Sequence, residues 1–295
     1  MLKELKGAGT ALVTPFKSNF DVDYDAFRKL VRRQIDNGIH YLVPLGTTGE
    51  TPCLESDEKK KLIEITLDET KGEVPVIVGV GSNSTKQVLQ NINEYKNYDI
   101  DGYLIVTPYY NKPTQQGMYE HFKVASEATD KAIVLYNVPA RTSINMTSET
   151  TLKLCELENI IGIKEASSNM TQISEILKYA RESFNVISGN DDETLEICTL
   201  GGVGVISVAS NLAPKQVSQF VNLILDKNFE EANKQHHKLL NLLKNCFVES
   251  NPIPVKAGLN LLGHIENVLR LPLTISTDAT NDIMKQTIID SGINY

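Results

Sequence analysis

Eight short apolar runs recur along the chain, at residues 11–13, 41–45, 76–80, 102–106, 133–136, 161–164, 186–188 and 205–208. Their starts lie 30, 35, 26, 31, 28, 25 and 19 residues apart, intervals that fit one strand and one helix each. Every interval carries a helix-like pattern. Residues 23–37 place Phe27, Leu30, Val31 and Ile35 at helical spacing, with Gly38 set to end the helix. Ser56 is the expected cap of the next helix, with Lys59 where a capping box prefers glutamate, and Ser84 or Thr85 opens another. Further helices are expected over 116–128, 148–157, 171–181, 193–200 and 214–225. Eight alternating pairs predict an α/β chain folded as a (β/α)8 TIM barrel rather than an open sheet. Beyond residue 226 the strand signals stop, and helices are expected over 229–247, from Pro252 to Leu261, and over 277–291. The division read from this pattern is a catalytic barrel over 1–225 and a small C-terminal helical appendage over 226–295.

The composition narrows the class of function. Apolar residues make up 41% and charged residues 22%, a globular balance, and the net charge of −8 with no Lys/Arg block argues against nucleic acid as a partner. The first seven residues, Met1 to Gly7, hold no signal-peptide core, and no apolar stretch reaches transmembrane length. A cytoplasmic protein with no membrane partner is expected. Cys53, Cys155, Cys198 and Cys246 lie too far apart for a redox pair or a zinc spacing. They are expected as mainly buried free thiols, with no metal and no cofactor.

One strand breaks its own pattern. Ile160, Ile161, Gly162, Ile163, Lys164, Glu165, Ala166 and Ser167 form an apolar run with a lysine in its middle. Alternation puts Lys164 on the face of Gly162 and Ala166, small neighbours that leave room around the amine, and turns Glu165 away. Burial lowers a lysine pKa and supplies the neutral amine that forms a Schiff base with a carbonyl. The structural alternative is a buried ion pair.

Barrel chemistry sits where strands run out into helices, so the strand ends carry the other candidates. Gly46, Thr47, Thr48, Gly49 and Glu50 form a tight turn with two hydroxyls and free backbone amides, suited to an anion. It is not a P-loop, which favours a substrate carboxylate over a nucleotide. Tyr109 and Tyr110 follow the fourth strand, as packing or as an interface. Tyr136 ends the fifth strand, placed to relay protons beside Lys164, and Arg141 lies one loop further out with the fork that grips a carboxylate. Each has an ordinary structural explanation; together they describe a site for a small keto acid.

These residues resemble the dihydrodipicolinate synthases, in the pyruvate-dependent class I aldolase superfamily that includes N-acetylneuraminate lyase. The resemblance rests on Gly46 to Glu50, Thr107 to Asn111, Tyr136 to Pro139 with Arg141 and Thr142, Gly162 to Glu165, and Ser188 with Gly189, spread over nearly the whole chain. It implies a lyase in which Lys164 forms a Schiff base with pyruvate and the enamine adds to L-aspartate 4-semialdehyde. Tyr136, Thr47 and Tyr110 match the family's proton relay, Tyr110 reaching a neighbouring subunit. Thr48, Gly189 and the backbone of Ile206 match positions around pyruvate, and Arg141 matches the residue that receives the semialdehyde carboxylate. A homotetramer built as a dimer of dimers, or a homodimer, is implied.

Arg141 and the pair Thr47 and Thr48 separate this chain from sugar-acid lyases, which show no such arginine and tend to pair serine with threonine. A sugar-acid lyase or dehydratase is the alternative within the superfamily; a keto-acid sensor, or an interaction protein anchored on Tyr109 and Tyr110, is the alternative outside catalysis. The family's lysine effector site is matched at Asn83 and Tyr109. Lysine-inhibited members tend to carry histidine and glutamate where this chain has Lys59 and Gln87, so a cation faces the cationic effector and a carboxylate is missing. Weak or absent inhibition by lysine is expected.

Overall fold

A computed structural model describes Leu2 and residues 4–293; Met1 and Lys3, part of the N-terminal stretch discussed above, and Asn294 and Tyr295 lie outside the described residues. The strands are β1 (Gly7–Ala11), β2 (Tyr41–Val43), β3 (Ile77–Gly79), β4 (Gly102–Val106), β5 (Ala132–Asn137), β6 (Ile160–Glu165), β7 (Asn185–Ser188) and β8 (Gly204–Ser207). Between them run α1 (Tyr24–Asp36), α2 (Ser56–Thr70), α3 (Thr85–Tyr95), α4 (Gln115–Glu127), α5 (Pro139–Thr142), α6 (Ser148–Cys155), α7 (Met170–Tyr179) and α8 (Thr194–Thr199). After β8 come α9 (Pro214–Leu225), α10 (Phe229–Asn245), α11 (Ile253–Leu261) and α12 (Asp278–Asp290). One sheet holds all eight strands in the order β2-β1-β8-β7-β6-β5-β4-β3, with a further parallel bridge between Leu42 and Val76, just ahead of β3. Eight parallel strands alternating with helices make the predicted (β/α)8 barrel, and the three helices expected after residue 226 are α10, α11 and α12.

By internal packing the chain comprises two units. One holds the residues up to Gly7 with Ile77–Ile206; the other holds Ala8–Val76 with the chain from Ser207 onward. In the first, β5 and β6 are buried along their whole length, and the register sets Tyr136 opposite Lys164 and Asn137 opposite Glu165. Their helices carry polar caps: the Asn169 side chain accepts from the Gln172 N–H at the start of α7, and Thr147 caps α6 in the same way. In the second unit, Arg33 of α1 donates to the carbonyls of Asn211 and Leu212 at 2.8 Å each. Asn245 of α10 donates to Thr287 of α12 at 2.7 Å.

The structure corrects four local readings. The first strand is Gly7–Ala11, not 11–13. Its Gly-Ala-Gly-Thr-Ala sequence hides it, yet a Cβ on Gly9 would lie 2.0 Å from the Tyr41 ring, so the small residue is what lets β1 and β2 close up. Helix α2 is capped by Glu55, with the Glu58 carboxylate accepting from the Glu55 N–H at 2.9 Å; Ser56 is the first helical residue, and the capping box is one residue earlier than expected. Gly162 does not make room for the amine: a Cβ there would meet the Asn185 carbonyl oxygen at 2.4 Å, so its smallness admits the neighbouring strand β7. Helix α5, a single turn after Pro139, carries no periodic signal and was not anticipated. The cysteines are free, three buried and Cys53 half-buried.

Candidate active site

Strand β6 presents two charged side chains to opposite sides, and the fold treats them differently. Glu165 is fully buried and surrounded by donors: the Asn137 amide at 3.0 and 3.2 Å, the Gln172 amide at 3.2 Å and the Ser167 N–H at 2.8 Å. Burial raises its carboxyl above the usual range against the pull of those donors. It is a satisfied structural carboxylate, and no partner for the lysine.

Lys164 faces the other way, 5% exposed, with Nζ 4.4 Å from the centre of the Tyr136 ring on the next strand. Burial pulls its amine down from 10.5 to about 8; Asp191, itself buried, holds it up, and the Arg141 guanidinium pushes it further down. At pH 7 a lysine at 10.5 has about 1 in 3000 molecules neutral, and one at 8 about 1 in 10, a gain of roughly 300-fold in nucleophile. Tyr136 is 7% exposed, and burial raises its phenol to about 12 while Arg141 opposes the rise, so it is a protonated donor at neutral pH. Arg141 is exposed on α5, the short turn after β5, and its positive charge acts on both groups. Lysine, phenol and guanidinium thus act on one another electrostatically.

Gly189 follows β7, and its N–H donates to the Glu165 carbonyl at 2.7 Å, so it shapes the backbone there and does not offer its amide to a ligand. Ile206 is fully buried in β8. Tyr109 and Tyr110 lie on the loop after β4, Tyr110 88% exposed and left-handed at φ 73°. Asn83 is half-buried, its carbonyl accepting from the Asn111 amide at 2.8 Å, and Gln87 is exposed on α3, bonded to Asn91. Gln87 and Tyr109 belong to the first unit; Lys59, half-buried on α2, belongs to the second.

The threonine turn is built entirely within the second unit. Residues Thr47–Gly49 form one 3-10 turn in which the amides of Gly49 and Glu50 bond back to the carbonyls of Gly46 and Thr47, so two of the amides read as free are engaged. Those of Thr47 and Thr48 stand ahead of the first internal bond. Thr47 is exposed; Thr48 is buried, and its hydroxyl accepts from the Asn251 amide at 2.9 Å. Sequence reasoning missed Asn251, Asp191 and the ion pair of Glu50 with Lys256. Asp191 was within reach, since it lies just past the end of β7; the others are long-range contacts with no local signal.

With this geometry in place, the comparisons are specific. The model of the dihydrodipicolinate synthetase family matches residues 4–290. The 4-hydroxy-tetrahydrodipicolinate synthase of Thermotoga neapolitana is 48% identical over 292 residues, 98% of this chain and 99% of that protein. The crystal structure of dihydrodipicolinate synthase from Thermotoga maritima superposes with a TM-score of 0.96 at 47% identity, covering 98% of this chain and 99% of the other. A structure described as a monomeric dihydrodipicolinate synthase variant matches with a TM-score of 0.96 at 47% identity, covering 98% of this chain and 97% of the other.

Proposed function

The chain belongs to the dihydrodipicolinate synthetase family and condenses pyruvate with L-aspartate 4-semialdehyde to 4-hydroxy-tetrahydrodipicolinate, and we propose that Lys164 is the residue through which it does so. The reaction opens the diaminopimelate route to lysine. The observation that carries the assignment is a buried amine, pulled down to about 8, lying against the ring of a buried, protonated tyrosine.

The neutral amine attacks the ketone carbon of pyruvate, and water leaves to give the iminium. Loss of a methyl proton gives the enamine, whose carbon attacks the aldehyde of the semialdehyde. The amino group of the second substrate then closes on the iminium carbon and expels the Lys164 amine, so the lysine is regenerated. Tyr136 donates and recovers the protons at the carbinolamine, with Thr47 and Tyr110 completing the relay. Thr48 serves the pyruvate carboxylate together with the backbone around Gly189 and Ile206. Arg141 receives the carboxylate of the semialdehyde, for which an exposed guanidinium on the turn after β5 is suited. The catalytic barrel spans 1–225 and the helical region 226–295. The assembly proposed is a homotetramer of paired dimers, or a homodimer, in the cytoplasm, with Tyr110 offered to the neighbouring subunit; its 88% exposure supports that role. Among the described residues no helix is long and apolar enough to cross a membrane.

Borohydride reduction in the presence of pyruvate tests the central assignment. A covalent adduct is expected on Lys164 and is lost in Lys164→Arg; an unmodified Lys164, or an adduct that persists in the variant, overturns it.

A further inference from the structure

The second unit contains another buried lysine that the chemistry does not use. Lys256 lies in the first turn of α11, its side chain wholly enclosed, with Nζ 2.7 Å from Oε1 of the equally enclosed Glu50 and 2.9 Å from the Thr14 carbonyl. The other carboxylate oxygen of Glu50 accepts from the Arg270 N–H at 3.1 Å. The Phe16 ring lies 4.3 Å from the Lys256 ammonium and 4.5 Å from the Arg270 guanidinium, which itself grips Glu58 at 2.6 and 2.7 Å. No open face remains for a carbonyl substrate to reach Lys256, so it is not a second Schiff-base residue.

Its partner is the last residue of the threonine turn. That turn is bracketed by two non-glycine residues in the left-handed region, Leu45 at φ 58° and Glu50 at φ 52°, a conformation that persists only where the surroundings dictate it. The surroundings here are explicit. The Thr14 hydroxyl donates to the Gly49 carbonyl at 2.7 Å, and the Thr51 hydroxyl donates to the Gly46 carbonyl at 2.9 Å. From the start of α11, Asn251 holds the Thr48 hydroxyl and Lys256 holds the Glu50 carboxylate. One helix start thus grips the turn at its middle and at its end. A fully buried ion pair contributes little to stability compared with apolar side chains of the same volume, but it demands one geometry.

We infer that the Glu50–Lys256 pair is a positioning device, which locks the 46–50 turn and so aims the hydroxyls of Thr47 and Thr48 at the pyruvate half of the reaction. The inference rests on the roles proposed above for those threonines. It gives the C-terminal helices a catalytic consequence, since the lock is delivered by α11.

The test uses the full-length enzyme, with Glu50→Gln, Lys256→Met and the double variant Glu50→Gln/Lys256→Met, and with Thr48→Val as reference. Each single change leaves a buried charge unpaired and lowers the melting temperature whatever the pair does. The double variant leaves none, and it is the decisive protein. Expected for the folded double variant is a pyruvate KM raised ~10-fold or more with a lowered kcat, because a small misplacement of a positioning group is amplified in rate. The semialdehyde KM should stay within ~2-fold, since Arg141 is untouched. Wild-type KM and kcat in the folded double variant overturn the inference, whatever the melting temperatures show. Thr48→Val separates the two levels of argument. If it leaves the pyruvate KM unchanged, the threonine reading fails and the inference falls with it. If it raises that KM and the double variant does not, the inference alone falls.

Discussion

Replacing Lys164 by methionine should make the protein more stable while abolishing its chemistry. The buried amine titrates at about 8 instead of 10.5. At about 1.4 kcal/mol per pH unit, the charged form is disfavoured in the folded state by about 3 kcal/mol. Methionine keeps an unbranched chain of similar reach and carries no charge, so that cost vanishes. The value of about 8 already includes the attraction to Asp191, so the gain at pH 7 is about 3 kcal/mol, or ~5 °C in melting temperature for a chain of this size. The pH dependence identifies the cause. Below about 8 the wild-type amine is charged in both states and the cost is complete. Between about 8 and 10.5 the unfolded chain holds the proton that the folded one has released, so wild-type stability rises with pH. The advantage of Lys164→Met should therefore shrink toward zero by pH 10.5. Thermal melts of both proteins from pH 7 to pH 10, at one protein concentration, measure this directly. A variant that melts at or below the wild type at pH 7, or one whose advantage is the same at pH 10, refutes the reasoning.

The rate of reducible adduct formation with pyruvate should climb with pH and level off above about 8, as the amine becomes neutral; a rate that is flat from pH 6 to 9 contradicts the perturbed lysine. Tyr136→Phe should lower kcat by ~10²-fold or more while adduct still forms on Lys164, as mass spectrometry after reduction will show, and a loss under threefold removes Tyr136 from the relay. Arg141→Lys keeps the charge but not the fork, so the semialdehyde KM should rise ~10-fold with the pyruvate KM unchanged; equal effects on both would deny it a substrate-specific role. Added lysine should inhibit weakly or not at all, and a steep fall in activity at submillimolar lysine would show that Lys59 and Gln87 do not impair the effector site.

The architecture was legible because its signal is repetitive: eight apolar runs at βα spacing survive the loss of any one, and the strand that was misplaced, Gly7–Ala11, did not change the count. A strand of glycines and alanines, with Gly9 giving way to the Tyr41 ring, leaves no hydrophobic trace. Lys164 was legible because an amine inside an apolar strand is costly, and the register that sets Tyr136 beside it follows from strand adjacency alone. Glu165 was correctly read as facing away, but its donors, Asn137 and Gln172, come from separate elements. Asn251 and Lys256 were invisible for a stronger version of that reason. A polar residue that satisfies a partner two hundred positions earlier looks, in one dimension, like any solvated side chain.

The Glu50–Lys256 contact also orders events in time. Its partners are 206 residues apart in the chain, and the carboxylate cannot be dehydrated comfortably before its cation arrives. During synthesis all eight barrel strands leave the ribosome before Lys256 does. On the proposed roles, the nascent chain holds a nucleophile early and an organised pyruvate turn only late. On those roles, the turn acquires its final geometry only once Lys256 has followed the barrel strands out of the ribosome.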